Sequence, residues 1–143
     1  MIYLEKPAGF RPGFRAVGCF VECKGDILLL LRAKDRKIEP GKWGCPAGRV
    51  EKNETPEIAM LRELKEEAGI VIAGNQLLFH SLLYVDYPQC SFEYSLFRCC
   101  FPFELEISLS FEHVAHTWIP PAYASSLDLM EDELKCINMV YGH

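Results

Sequence analysis

Two runs of aliphatic and aromatic residues open the chain. Residues 15–22 and 27–32 are strand-like, and Cys23-Lys24-Gly25-Asp26 between them is a turn signal, so together they predict a hairpin. Residues 33–47 are polar and hold Pro40, Gly41, Gly44 and Pro46, which predicts a loop. That loop is longer than a plain connector needs to be, and such loops often carry function. A helix is expected over 56–68. Thr55 suits its N-cap, Pro56 its first position, Glu57 its first turn and Gly69 its C-terminal cap. Residues 70–73 read as a short strand. Residues 76–84 and 92–101 are apolar and aromatic with a polar turn between them, around 86–91. Leu105, Ile107 and Leu109 alternate with Glu104, Glu106 and Ser108, the pattern of a half-buried strand. Residues 114–119 predict a further strand, and Pro120-Pro121 ends it. Met130, Leu134, Ile137 and Tyr141 fall at helical spacing and predict a closing amphipathic helix. Strands interleaved with helices give an α/β or α+β class, one sheet packed against helices.

The chain has 143 residues, enough for one domain (1–143) with a core that needs no disulfide or zinc. Half of the residues are apolar and 24% are charged, which excludes a disordered chain. A net charge of −5 argues against holding nucleic acid or an anionic membrane by bulk charge. It leaves a small anionic substrate open, because a bound metal ion reverses the local sign. No apolar run approaches the roughly 20 residues of a membrane span. The first residues carry Glu5, Lys6 and Arg11 with Pro7 and Pro12, unlike a secretory signal, so a cytoplasmic location is expected. The seven cysteines are scattered without a C-x-x-C pair. They read as reduced thiols acting as small buried hydrophobes. The four histidines, His80, His113, His116 and His143, read as surface or satisfied core residues rather than metal ligands.

The predicted helix carries the candidate chemistry. With about 100° per residue and Glu63 at zero, Glu66 lies near −60° and Glu67 near +40°. Ile58, Leu61, Leu64 and Ala68 fall between about 100° and 220°. One face is then apolar and the other carries three carboxylates, Glu63, Glu66 and Glu67, none expected in the core. Glu66 and Glu67 lie three and four residues beyond Glu63, where like charges repel, and sit in the last turn, where the helix dipole disfavours anions. A hard divalent cation with oxygen ligands would remove that conflict; a solvated acidic face is the other reading. Gly48, in the loop leading to the helix, can expose its carbonyl to a metal or phosphate. Arg62 borders the carboxylates and can pair with Glu54 or with a helix glutamate, clamping loop to helix.

Gly48, Glu54, Arg62-Glu63, Leu64, Glu66-Glu67, Gly69 and Ile70 stand at the spacing of a known motif. This stretch resembles the complete signature of the Nudix hydrolases. Its chance occurrence in a chain of this length is on the order of one in ten million. The strands before it, Trp43 and Pro46, and the Trp118-Ile119 strand and closing helix after it are also similar to the family; Ala47 departs, where many members have a second glycine. The resemblance implies a Nudix-like α/β/α sandwich with a mixed β-sheet. It implies Mg²⁺ or Mn²⁺ bound by Glu63, Glu66, Glu67 and the Gly48 carbonyl, and hydrolysis of a phosphoanhydride in a nucleoside diphosphate linked to another moiety. It points to Glu112 as a further ligand or base, to Arg32 as a phosphate contact, and to Glu66 or Glu67 as the general base. Tyr84, Tyr87, Phe92 and Tyr94 are candidates to stack a base. A small nucleotide is the expected partner; a homodimer is open. The alternative is a catalytically weak module of the same fold that senses nucleotides. An isomerase on this fold is disfavoured, because no extra catalytic cysteine segment is evident.

Overall fold

A computed structural model of the chain describes residues 1–142. Strands β1 (Ile2–Tyr3), β2 (Phe14–Cys23), β3 (Asp26–Arg32), β4 (Trp43–Gly44) and β5 (Ala47–Arg49) precede helix α1 (Pro56–Ala68). Strands β6 (Leu78–Asp86), β7 (Ser91–Phe101) and β8 (His113–Ile119) follow, and helix α2 (Glu133–Tyr141) closes the chain. The hairpin between β2 and β3 turns on Lys24 and Gly25, both at positive φ (50° and 85°). That is the mirror-image turn whose twist suits a hairpin.

The sheet runs β1-β6-β7-β2-β3-β4, with β5 added on β2 and β8 on β3. It is mixed: β2 and β7 are parallel from Phe14↔Phe92 to Cys23↔Phe101, and the other pairings are antiparallel. Strands β2 and β3 pair only next to their turn, Glu22↔Ile27 and Cys23↔Asp26, and then diverge. Strand β5 fills the free edge of β2 through Ala16↔Arg49 and Gly18↔Ala47. This divergence brings the 45–49 segment across the middle of the sheet, under α1. Val17, Cys19, Val21, Leu28, Leu30 and Phe97 face α1, while Phe20, Ile27, Leu29, Leu83 and Leu96 face α2. The strand period of two therefore fills two cores, one on each side, and makes an α/β/α sandwich. Among the described residues, no helix is long and apolar enough to cross a membrane.

The helix α1 has the expected bounds and caps. The Thr55 hydroxyl accepts from the Ile58 N–H at 3.2 Å. Gly69, at φ 71°, lets its own N–H reach the Lys65 carbonyl and the Ile70 N–H reach the Leu64 carbonyl, at 3.0 and 3.1 Å. Four expectations need correction. Residues 70–73 are not a strand; Ile70 is buried in the core and a short 3₁₀ turn, Gly74–Gln76, follows. Residues 104–110 alternate as expected but have no ladder partner among the described residues; Leu105, Ile107 and Leu109 pack on the α1 core, and the Ser108 N–H reaches the Ala68 carbonyl at 2.9 Å. The 33–47 loop holds the short β4. In α2, Cys136 and Ile137 face inward and Leu134 is exposed, so the helix begins later and is rotated from the Met130–Leu134 stripe.

The cysteines divide. Cys19, Cys23, Cys45, Cys99 and Cys136 are buried thiols, but Cys90 is half-buried and Cys100 exposed, because Cys100 lies on the outward phase of β7.

Candidate active site

The largest correction concerns the faces of α1. Its buried residues are Ala59, Met60, Glu63, Leu64, Glu67 and Ala68. Ile58 is 53% exposed, whereas Glu67 is 4% exposed and Glu63 9%. Glu67 therefore lies in the packed layer and only Glu66 is open. The reason is the neighbour across the interface. Gly48 in β5 has no side chain, and a Cβ there would sit 2.2 Å from the Glu63 carboxyl carbon. The Ala47 N–H donates to Glu67 Oε1 at 2.8 Å. The helix thus lays two carboxylates onto the backbone of β5.

One guanidinium organises the rim. Arg62 donates to both oxygens of Glu54, Nε at 2.8 Å and Nη2 at 2.9 Å. Its Nη1 reaches Glu63 Oε1 at 2.7 Å and Glu66 Oε2 at 3.2 Å, and its Nη2 reaches the Arg49 carbonyl at 3.0 Å. Glu54 also accepts from the Glu51 N–H at 2.7 Å. The paired Arg62 holds the Glu54 carboxyl down to about 2. This is the loop-to-helix clamp that the sequence suggested.

Glu63 and Glu67 titrate the other way. Burial pushes Glu67 well above the usual carboxylate range, against its bond from Ala47; the fields of Glu63 and Glu112 add to the rise and Arg32 opposes it. Burial also raises Glu63, against Arg62, with Glu66 and Glu112 adding to the rise. Both carboxylates are desolvated without enough positive charge. Among the described residues no three acidic, imidazole or thiol side chains already converge on one point, since Arg62 draws Glu63 and Glu66 to itself. An all-oxygen donor set, short of positive charge and opened by a glycine, nevertheless fits a hard divalent cation in kind.

Glu112 stands beside this group. Its carboxylate is 3.2 Å from Arg36 Nη2, and its carbonyl accepts from the Ala33 N–H at 2.9 Å. Arg32, at a bulge closing β3, donates Nε to the Ile38 carbonyl at 2.9 Å. His113 is buried, and among the described residues its Nδ1 has no partner, so it is not the satisfied core histidine expected. Burial, then the fields of Arg32 and Arg36, lower it to about 4. His143 lies outside the described residues.

The aromatic candidates separate. Tyr87, Phe92 and Tyr94 gather on the α2 side, with Phe92 centroids 6.2 Å from each tyrosine. Tyr87 donates its hydroxyl to Asp132 at 2.9 Å. Tyr94 is half-buried over Gly18, where a Cβ would strike its hydroxyl. Tyr84 lies on the other face of β6, edge-on to Phe10 at 5.5 Å. Sequence reasoning missed Phe14, stacked on Phe92 at 4.8 Å and capped by the Arg49 guanidinium 3.8 Å from its ring centre. Once β2 and β7 are read as parallel neighbours, that stack follows from their register.

The sequence profile described as "NUDIX domain" matches residues 12–138. An 8-oxo-dGTP diphosphatase of Proteus vulgaris is 55% identical over 38 residues, which are 27% of this chain and 34% of that protein. The curated relatives matched in this way are aligned over well under half of their own length. The MutT protein of Methanosarcina mazei Go1 superposes with a TM-score of 0.77 at 19% identity, over 92% of this chain and 94% of that one. A bifunctional NMN adenylyltransferase/ADP-ribose pyrophosphatase of Francisella tularensis, solved with AMP and a manganese ion, gives 0.76 at 24% identity, over 94% of this chain and 43% of that one.

Proposed function

This chain belongs to the Nudix family, and on that premise we propose that it is a Mg²⁺- or Mn²⁺-dependent hydrolase of a phosphoanhydride bond in a small nucleotide. The observation that carries the reading is the burial of Glu63 and Glu67 against Gly48, where, among the described residues, Glu63 bonds Arg62 alone and Glu67 bonds only the Ala47 N–H. Glu63, Glu66, Glu67 and the Gly48 carbonyl would hold the metal. Bound there, divalent ions neutralise phosphate oxygens and lower the pKa of water. The remaining work falls to the chain. Arg62 keeps Glu54, Glu63 and Glu66 in one frame and is a positioning residue. Glu66, the exposed member of the trio, accepts the proton of the attacking water. Arg32 neutralises a phosphate oxygen from the sheet side, and Glu112 completes the acidic ring. Tyr87 and Phe92 flank the base, while Tyr84, on the opposite face of β6, does not share that role. We take residues 1–143 as a single domain, in keeping with the extent of the family match.

A substrate panel tests this: nucleoside triphosphates, ADP-ribose, sugar nucleotides and dinucleoside polyphosphates, each with and without Mg²⁺. Metal-dependent release of a nucleoside monophosphate from at least one is expected. No turnover of any member, combined with tight nucleotide binding, overturns the enzyme reading in favour of a sensing module.

A further inference from the structure

The chain is acidic, yet residues 32–42 hold Arg32, Lys34, Arg36, Lys37 and Lys42 against Asp35 and Glu39. Two of these seven charges are tied to the segment before α2: Lys42 lies 3.6 Å from Asp128, and Glu39 accepts from the Glu131 N–H at 2.7 Å. Arg32, Asp35, Arg36, Lys37 and Ile38 line a cleft of about 330 Å³, within the size range of small-ligand sites. Its cations are under-used. Arg32 bonds a carbonyl there rather than a carboxylate. Arg36 meets Glu112 through Nη2, but its Nε is enclosed without a partner among the described residues. An enclosed, unpaired guanidinium N–H is costly unless something accepts it. Exposed Phe111 lies with its ring centre 5.7 Å from the Arg36 guanidinium.

The cleft is next to the carboxylate site through Glu112. Glu112 pairs with Arg36 on one side, and its charge reaches Glu63 and Glu67 on the other. A negative group extending from a phosphate bound at the carboxylates would enter a region of opposite sign.

We propose that this cleft holds the terminal phosphates of a substrate with three or more linked phosphates, and that Arg36 and Lys37 select for that length. The proposal rests on the phosphoanhydride hydrolase reading and narrows it to nucleoside triphosphates over sugar-linked diphosphates. Arg36 supplies two N–H donors in a planar fork, and Lys37 adds a mobile charge at the mouth.

Two measurements test it. Calorimetry in EDTA with inorganic tripolyphosphate and orthophosphate reads the cleft without turnover. The wild-type chain binds tripolyphosphate more tightly, and R36Q, K37Q and the double variant each lose about tenfold or more for tripolyphosphate but little for orthophosphate. K37Q leaves the Glu112 contact intact, so it reports on the cleft even if R36Q unsettles the loop. Unchanged tripolyphosphate affinity in K37Q and the double variant overturns the proposal. With Mg²⁺, K37Q raises KM for a nucleoside triphosphate about tenfold at similar kcat and leaves KM for ADP-ribose unchanged. An equal rise for both substrates overturns it. Displacement of tripolyphosphate by a 5′-triphosphorylated oligoribonucleotide, but not by a nucleoside triphosphate, overturns the choice of a free nucleotide. If no nucleotide is turned over at all, the hydrolase reading fails while the calorimetric result still decides the cleft.

Discussion

Replacing Glu67 with Gln should make the metal-free protein more stable and the enzyme nearly inactive. Glu67 is 4% exposed and has one protein donor, the Ala47 N–H at 2.8 Å. Desolvating a carboxylate costs several kcal/mol. A hydrogen bond to a charged acceptor returns about 1.5–3 kcal/mol. The deficit is then roughly 1–3 kcal/mol, in line with the upward direction of the Glu67 pKa. Gln keeps a carbonyl for the Ala47 N–H and removes the charge. In EDTA at neutral pH, E67Q should therefore melt higher, by roughly 3 °C for each kcal/mol. The sign with pH follows. An acid whose folded pKa is raised costs nothing below its unfolded pKa; the cost grows as pH rises through the interval up to the folded pKa and stays constant above it. The advantage of E67Q should therefore vanish in acid and grow towards neutrality. Added Mg²⁺ should reverse the order, because only the wild-type site gains from binding. Calorimetric scans across pH, with and without Mg²⁺, measure all of this alongside hydrolysis rates. An E67Q protein that melts at or below the wild type in EDTA and still turns over substrate would refute the reasoning.

Gly48→Ala should displace the Glu63 carboxylate, since 2.2 Å is about 1.2 Å inside an ordinary contact. We expect kcat to fall about 100-fold with an intact fold, read by steady-state kinetics and circular dichroism. Arg62→Lys keeps the charge but loses the fork on Glu54, and should lower metal affinity and melt several degrees lower, checked by Mn²⁺ titration and thermal scans. Gly69→Ala forces a side chain into a left-handed position, φ 71°, 2.9 Å from Ser108 Cβ, and should destabilise by about 1–2 kcal/mol in urea titrations without touching Mg²⁺ affinity.

Local chemistry made α1 legible from Thr55 to Gly69, because caps and turn glycines act within a few residues. The carboxylate trio and the Arg62 clamp were legible for the same reason. The orientation of α1 was not. The wheel placed Leu61 and Ala68 near the centre of the core face and Ile58 at its edge, but the buried arc is centred nearer Met60, and it takes in Glu63 and Glu67. Only the partner decides this, and the partner is Gly48, brought under the helix by the long-range β2–β5 pairing. The alternation of Leu105, Ile107 and Leu109 correctly marked inward side chains, but alternation does not reveal whether a neighbouring strand is free to pair. The basic cleft was invisible as a site because a run of charges in a loop does not reveal how the backbone folds around a hollow.

The parallel ladder of β2 on β7 has a bearing on how the molecule comes into being. Every acidic group of the signature emerges from the ribosome before residue 70, but the strand that supports Gly48 keeps one bare flank until residues 91–101 arrive to cover it. A fragment ending at α1 would carry the entire motif without its platform, exposing a sticky margin to any passing strand. Grafting the 23-residue signature onto another scaffold therefore demands a replacement for that flanking partner as well as the motif itself.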